Sequence, residues 1–184
     1  MNVQLSKKAL DAAGALLLLL AMLLLAACGG DSGASPRQTA APVNACALLP
    51  AADVEALYGM PVAEPTKMES GEVPTAASTL GYVSMCSYHT SGDAFLQASL
   101  LARQSFDAAN AAQAMEQGRK ELATGGSQLT AVEGFGEGAT WNEQFGQLSF
   151  VKDNYWLLIS ADATTAASAQ QNAATLAKQI LGRL

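Results

Sequence analysis

The stretch "QLSFVKDNYWLLISA", residues 147–161, decides the fold. It reads as two strands, "QLSFV" and "YWLLISA", joined through Asp153-Asn154, a pair suited to a hairpin turn. Alternation along the second strand sends Tyr155 and Trp156 to opposite faces of a sheet, so one of them should face a core. Upstream, "GYVSMCSYHT" and "AFLQASLLAR" read as a second pair of strands flanking an "SGD" turn. There Ala94, Leu96, Ala98, Leu100 and Ala102 fall on one face.

Between the two pairs, residues from Asp107 to Leu122 follow a helical pattern. Ala108, Ala111, Ala112, Met115 and Leu122 line one side, and Gly125-Gly126 end it. A last helix is expected from about Thr165 to Leu181. Its inward set is Ala166, Ala169, Ala173, Ala177, Ile180 and Leu184, with Gly182 near the stop. Ahead of all this, "CALLPAADVEALYG" reads as a short helix in which Pro50 suits the first turn and Gly59 the C-terminal stop. Runs of strands followed by helices predict one α+β domain. Its sheet should be largely antiparallel with helices packed on one face, in the order α-βββ-α-ββ(β)-α. Two strand groups, each followed by a helix, hint at a pseudo-repeat.

The other end of the chain has a different character. Lys7 and Lys8 precede an uncharged, almost wholly apolar run over residues 12–27, and small residues follow. That is the layout of a secretory signal peptide, shorter than the ~20 apolar residues of a spanning helix. Leu25-Ala26-Ala27-Cys28 resembles the bacterial lipobox, in which the Cys thiol is lipidated and the chain is cut just before it. Residues 1–27 are therefore expected to be removed, and Cys28 becomes the lipidated N-terminus. Residues 28–43 contain nothing able to build a core and read as a tether with a reach of roughly 20 Å. Residues 44–184 then form the single domain.

Without Lys7, Lys8 and Asp11 the mature chain keeps 8 basic and 15 acidic residues, a formal charge of −7. Such a surface argues against nucleic acid as a partner. The expected membrane contact is the covalent lipid. Of three cysteines, one is used by the lipid, which leaves Cys46 and Cys86. In an oxidising compartment an even remainder suggests a disulfide. A metal or redox pair is the rival reading, and it would need C-x-x-C spacing or neighbouring His ligands.

Several of these features together resemble one family. "CALLPAADVEALYGMPV", the later Cys-x-Tyr of "MCSYH", the "VEGFGEGATW" turn and a "YWLLIS" strand before an Ala-rich final helix are similar to the DUF3558-like small secreted lipoproteins. A looser similarity extends to extracellular sensor domains of some bacterial kinases. The resemblance spans most of residues 44–184 and implies that Cys46 pairs with Cys86. It implies fold and location, since the family carries no generally established activity. In a cell with two membranes, Gly29 after the lipidated Cys favours the outer membrane, facing the periplasm.

Candidate chemical residues are few. Gly134, Gly136 and Gly138 lack the G-x-G-x-x-G spacing that opens a dinucleotide-binding helix, so they read as a turn or bulge. His89 is the single histidine. As a base it would need a nucleophile, and Ser84, Ser87 and Ser91 lie near it in sequence. Glu133, Glu137 and Glu143 could supply a carboxylate pair, although their surroundings read as solvated loop. Trp141, Tyr155 and Trp156 cluster near the hairpin and offer core packing or a binding surface. No catalytic residue, metal or cofactor is assigned. The expectation is a non-enzymatic, membrane-tethered binding or accessory module for an envelope protein or small ligand. The alternative is a cell-envelope hydrolase whose active site is not evident in the sequence.

Overall fold

The structure, a computed structural model, describes residues 41–75, 81–91, 95–163 and 165–184. All of them belong to one compact unit, Thr39–Leu184. The expected signal peptide, Cys28, most of the tether, the Gly92-Asp93 turn and Ala94 lie outside the described residues.

Two short helices come first. In α1 (Ala45–Leu48), the Asn44 side chain accepts the N–H groups of Cys46 and Ala47. Helix α2 (Ala51–Tyr58) follows Pro50 and stops at Gly59, which takes the left-handed conformation at φ 66°. Pro50 separates the two helices because proline disfavours helical backbone in the residue before it. Then follow β1 (Thr66–Ser70), β2 (Tyr82–His89), β3 (Gln97–Gln104), helix α3 (Ala108–Thr124), β4 (Leu129–Ala131), β5 (Thr140–Asn142), β6 (Gln147–Lys152), β7 (Tyr155–Ala161) and helix α4 (Ala166–Leu181).

The seven strands form one antiparallel sheet in the order β1-β2-β3-β7-β6-β5-β4. It is the α+β architecture the sequence predicts, with four strands in the second group. Two meanders meet where β3 pairs with β7, in the register Leu100↔Ile159 and Ala102↔Leu157. The β6–β7 hairpin turns at Asp153, which sits at φ 51°.

One face of the sheet carries the main core. Leu100, Leu148, Phe150, Leu157 and Ile159 are fully buried there, with Ala173, Leu176, Ala177 and Ile180 of α4 over them. Each such large side chain contributes about 1.5–3 kcal/mol when taken out of water. Helices α1 and α2 add Leu48 and Val54 to the same core. Of the inward set expected in α4, Ala166 and Leu184 are exposed, because they flank the turns that lie on the sheet.

Helix α3 lies on the opposite face, against β6 and β7. Asp107 caps it by accepting the Asn110 N–H at 2.8 Å. Ala111 and Met115 are buried, whereas Ala108 and Ala112 are exposed. Gly118 provides the close approach: a Cβ there would lie 2.6 Å from the Trp156 ring. The expectation of helices on one face therefore describes α1, α2 and α4. A crossover from central β3 to the edge strand β4 takes α3 to the other side.

Polar pins hold the N-terminal segment beneath the sheet. The Ser84 hydroxyl accepts the Ala45 N–H, and the fully buried Gln104 accepts the Val43 N–H. Arg183 pairs with Asp53 at 2.6 Å and donates to the Leu48 carbonyl. A disulfide joins Cys46 of α1 to Cys86 of β2, with Cα atoms 5.1 Å apart. Among the described residues no helix is long and apolar enough to cross a membrane.

Candidate functional site

Of the grooves along the second meander, two are lined by candidate residues. The larger, about 540 Å3, runs along β4 and the Gly134–Gly138 turn and is walled by Arg119 of α3. Its geometry follows from local backbone chemistry. Gly134, Gly136 and Gly138 all take positive φ, between 78° and 92°, a region that costs most side-chain-bearing residues strain. Gly138 also lets Met115 approach, since a Cβ there would lie 3.1 Å from its methyl carbon. The Val132 N–H donates to the Ala139 carbonyl. Alternation then points the backbone groups of Leu129 and Ala131 away from β5, along the free edge of the sheet.

Arg119 is the principal cation of this groove. Its Nη1 lies 3.4 Å from Glu116, a solvated i,i+3 contact worth a few tenths of a kcal/mol at most. Its Nε is enclosed without a partner. Glu133 and Thr140 complete the polar side chains of the lining. The apolar floor comes from Leu129, Ala131, Val132 and Ala139.

The second groove, about 280 Å3, lies where β5, the β5–β6 turn and the start of α4 meet. Trp141 lines it, with Glu143, Asp162 and Thr165. Asp162 accepts the Gln97 N–H at 2.9 Å. Tyr58 nearby donates its hydroxyl to the Gln97 carbonyl. Burial pushes that phenol's pKa up, and the Asp162 charge adds to the effect.

The structure distributes the candidate residues as follows. Trp141 is only 4% exposed and packs in the main core. Tyr155 is half-buried against the same core. Trp156 points to the other face, where its indole N–H donates to the Ser149 hydroxyl at 2.9 Å. The opposite-face expectation for Tyr155 and Trp156 holds, but the three aromatics form no shared surface. The exposed aromatics are instead Phe95 and Phe145, 66% and 54% exposed, which composition and periodicity do not single out.

His89 stacks on Phe95 with ring centroids 5.3 Å apart. Ser84 alternates to the opposite face of β2, where its hydroxyl is already used, so it cannot serve His89 as a nucleophile. Ser87 shares the face of His89, and its hydroxyl accepts from Gln97. Ser91 is exposed beyond the strand. Glu133 and Glu143 line different grooves, and Glu137 is exposed in the glycine turn. Among the described residues no group of three or more His, Cys, Asp or Glu side chains is placed to hold a metal ion.

No family model matches the chain, and no curated protein matches it. The resemblance to the DUF3558-like group is therefore one of the quoted motifs alone. Among solved structures, the chain is similar to the extracellular domain of PknH from Mycobacterium tuberculosis. That likeness has 14% identity and a TM-score of 0.49, and it covers 77% of this chain and 98% of that one. The looser resemblance named from the sequence is to domains of this kind. At such a distance it says nothing about what is bound.

Proposed function

We propose that the chain is a bacterial lipoprotein, anchored through Cys28 and tethered by the residues that follow it; the expected tether, 28–43, is too long at its far end, because Val43 already packs in the core and its N–H is held by Gln104. Its domain, residues 44–184, acts outside the cytoplasm as a non-enzymatic binding or accessory module. The Cys46–Cys86 disulfide fits an extracytoplasmic protein, as does the signal-type sequence before Cys28. In a two-membrane cell the reading favours the outer membrane, on the periplasmic side.

The observation that carries the binding role is the groove beside β4. It combines an apolar floor, an ionic rim of Arg119 and Glu133, and a free strand edge. Those are the ingredients of partner recognition by surface complementarity. Its polar side chains do not form a nucleophile–base pair of the kind a hydrolase would use. The partner is an envelope protein or a small ligand.

The anchor and the groove are tested separately. Cys28→Ala should abolish palmitate labelling and move the protein out of the detergent phase; continued labelling sinks the lipoprotein reading. A photo-crosslinking residue in place of exposed Glu133, in the lipidated chain within its own envelope, should yield a discrete adduct. Arg119→Glu should remove that adduct. If Glu133 yields no more adduct than exposed Lys178 on α4, the groove is not the binding surface.

A further inference from the structure

The two edges of the sheet, β1 and β4, are unpaired by any described strand, and they differ in kind. β4 is three residues long, whereas β1 presents five, Thr66-Lys67-Met68-Glu69-Ser70, every one exposed. The outward N–H and C=O groups of such an edge are a template for another strand. Natural edges discourage pairing with charge, and Lys67 alone would do so. With Glu69 two residues along, the charges instead select one way for β1 to pair with a second β1.

In the antiparallel register centred on Met68, Lys67 stands opposite the partner's Glu69 and Glu69 opposite the partner's Lys67. Thr66 then faces the partner's Ser70. Sliding by two residues sets Lys67 against the partner's Lys67, or Glu69 against the partner's Glu69, and like charges directly opposite are destabilising. Sliding by one turns the faces of the strand over. Lys67 and Glu69 share the face of Cys86 and Ser84 on β2, where the Tyr82 phenol hydrogen-bonds to Glu69.

Met68 points to the other face, at the end of a straight apolar row: Met68↔Met85, Met85↔Leu101 and Leu101↔Leu158. The inner three are half-buried, and Met68 is 44% exposed at the edge. A second copy in the same register sets Met68 against the partner's Met68 and carries the row through the symmetry axis. That axis is perpendicular to the sheet, so both copies keep their α4 faces on one side. Ala41 and Val43 are held on that face by Gln104, as two chains anchored in one membrane require. We propose that the protein self-associates through β1, joining two seven-stranded sheets across a twofold axis at Met68. Five residues a side fall short of a standard stable interface, so the pair is weak in free solution. Anchoring through Cys28, as proposed above, would confine copies to one membrane and raise their effective concentration. The pairing is separate from the groove beside β4.

The test is cysteine cross-linking of the lipidated chain in its own envelope, with palmitate label checked in the same sample. In Met68→Cys the two Cα atoms stand directly opposite, about 4.5–5.5 Å apart, within the span of a disulfide. Mild oxidation should give a covalent dimer. Thr66→Cys should give none, since its two copies lie more than about 13 Å apart, but mixed with Ser70→Cys it should cross-link. In the Met68→Cys background, Lys67→Glu and Glu69→Lys should each slow cross-linking about tenfold. Their combination in one chain restores the charge match and should restore the rate. These opposite charge changes would shift thiol reactivity in opposite directions, so a fall in both reports the pairing. A labelled Met68→Cys chain that dimerises no more than exposed Lys178→Cys overturns the proposal, as does a cross-link to a different protein in place of the dimer. Equal dimerisation of Thr66→Cys overturns the register, and a combined variant as slow as the single ones overturns the charge match.

Discussion

Replacing Gly118 by alanine should destabilise the domain, against the usual trend for a glycine in a helix interior. On propensity alone the change stabilises α3 by about 0.5–1 kcal/mol. Here, however, the new methyl would lie 2.6 Å from Cη2 and 3.0 Å from Cζ2 of Trp156. The ring cannot simply swing aside, because its N–H is held by Ser149 on the neighbouring strand. Overpacking of this kind costs about 1–3 kcal/mol, so the net effect is a loss of up to ~2 kcal/mol once the propensity gain is set against it. The same substitution in a Trp156→Leu background meets no ring and should stabilise by about 0.5–1 kcal/mol. The sign therefore reverses, and a double-mutant cycle should give a coupling of about 1–3 kcal/mol. Urea unfolding followed by far-UV circular dichroism measures all four corners. The cavity left by Trp156→Leu is common to both arms and cancels. An equal effect of Gly118→Ala in the two backgrounds would refute the placement of α3 on the face opposite the core.

Other expectations follow from single contacts. Removing the disulfide with Cys46→Ala and Cys86→Ala opens a loop that spans a sequence separation of 40 and should cost about 4 kcal/mol in the chain-entropy account; a loss below ~1 kcal/mol would mean that the N-terminal segment is held without it. The Asp107 carboxyl is held below its ordinary range by the Asn110 N–H and then by the Asn110 side chain. Since its folded-state pKa is lower than its unfolded one, the cap contributes in full above the ordinary carboxylate value and is lost as pH falls through the folded-state value. Asp107→Asn should flatten that acid limb of the stability curve, and an unaltered limb would exclude the cap as its source. His89→Ala should leave binding at the β4-edge groove unchanged, because His89 stacks on Phe95 and does not line that groove. Loss of function in a folded, membrane-bound His89→Ala protein would favour the hydrolase instead.

Several features of the fold could be read directly because each depends on neighbours in sequence. The alternation of Leu148, Phe150, Leu157 and Ile159 around Asp153-Asn154 defines a hairpin wherever it is placed. Thr165 and Gly59 mark helix ends through their own hydrogen bonds and backbone preference. The Cys46–Cys86 bond could be anticipated because the lipobox-like match claims Cys28 and leaves an even remainder of two cysteines. By contrast, β1 gives little signal, since all five of its residues are exposed and show no buried alternation. Strands β4 and β5 are three residues each, too short for a period to register.

What the sequence by itself determined, then, was the set of local elements and the faces their side chains share. Only the tertiary structure decided that β3 pairs with β7 and that α3 crosses to the far face. It also decided that Arg119 meets the glycine turn, and that Trp141 is buried while Glu133 and Glu143 part company. The reason is physical: periodicity reports which residues point the same way along one element. Which layer they meet is set by long-range closure and packing, where residues far apart in the chain become neighbours only after the sheet has formed.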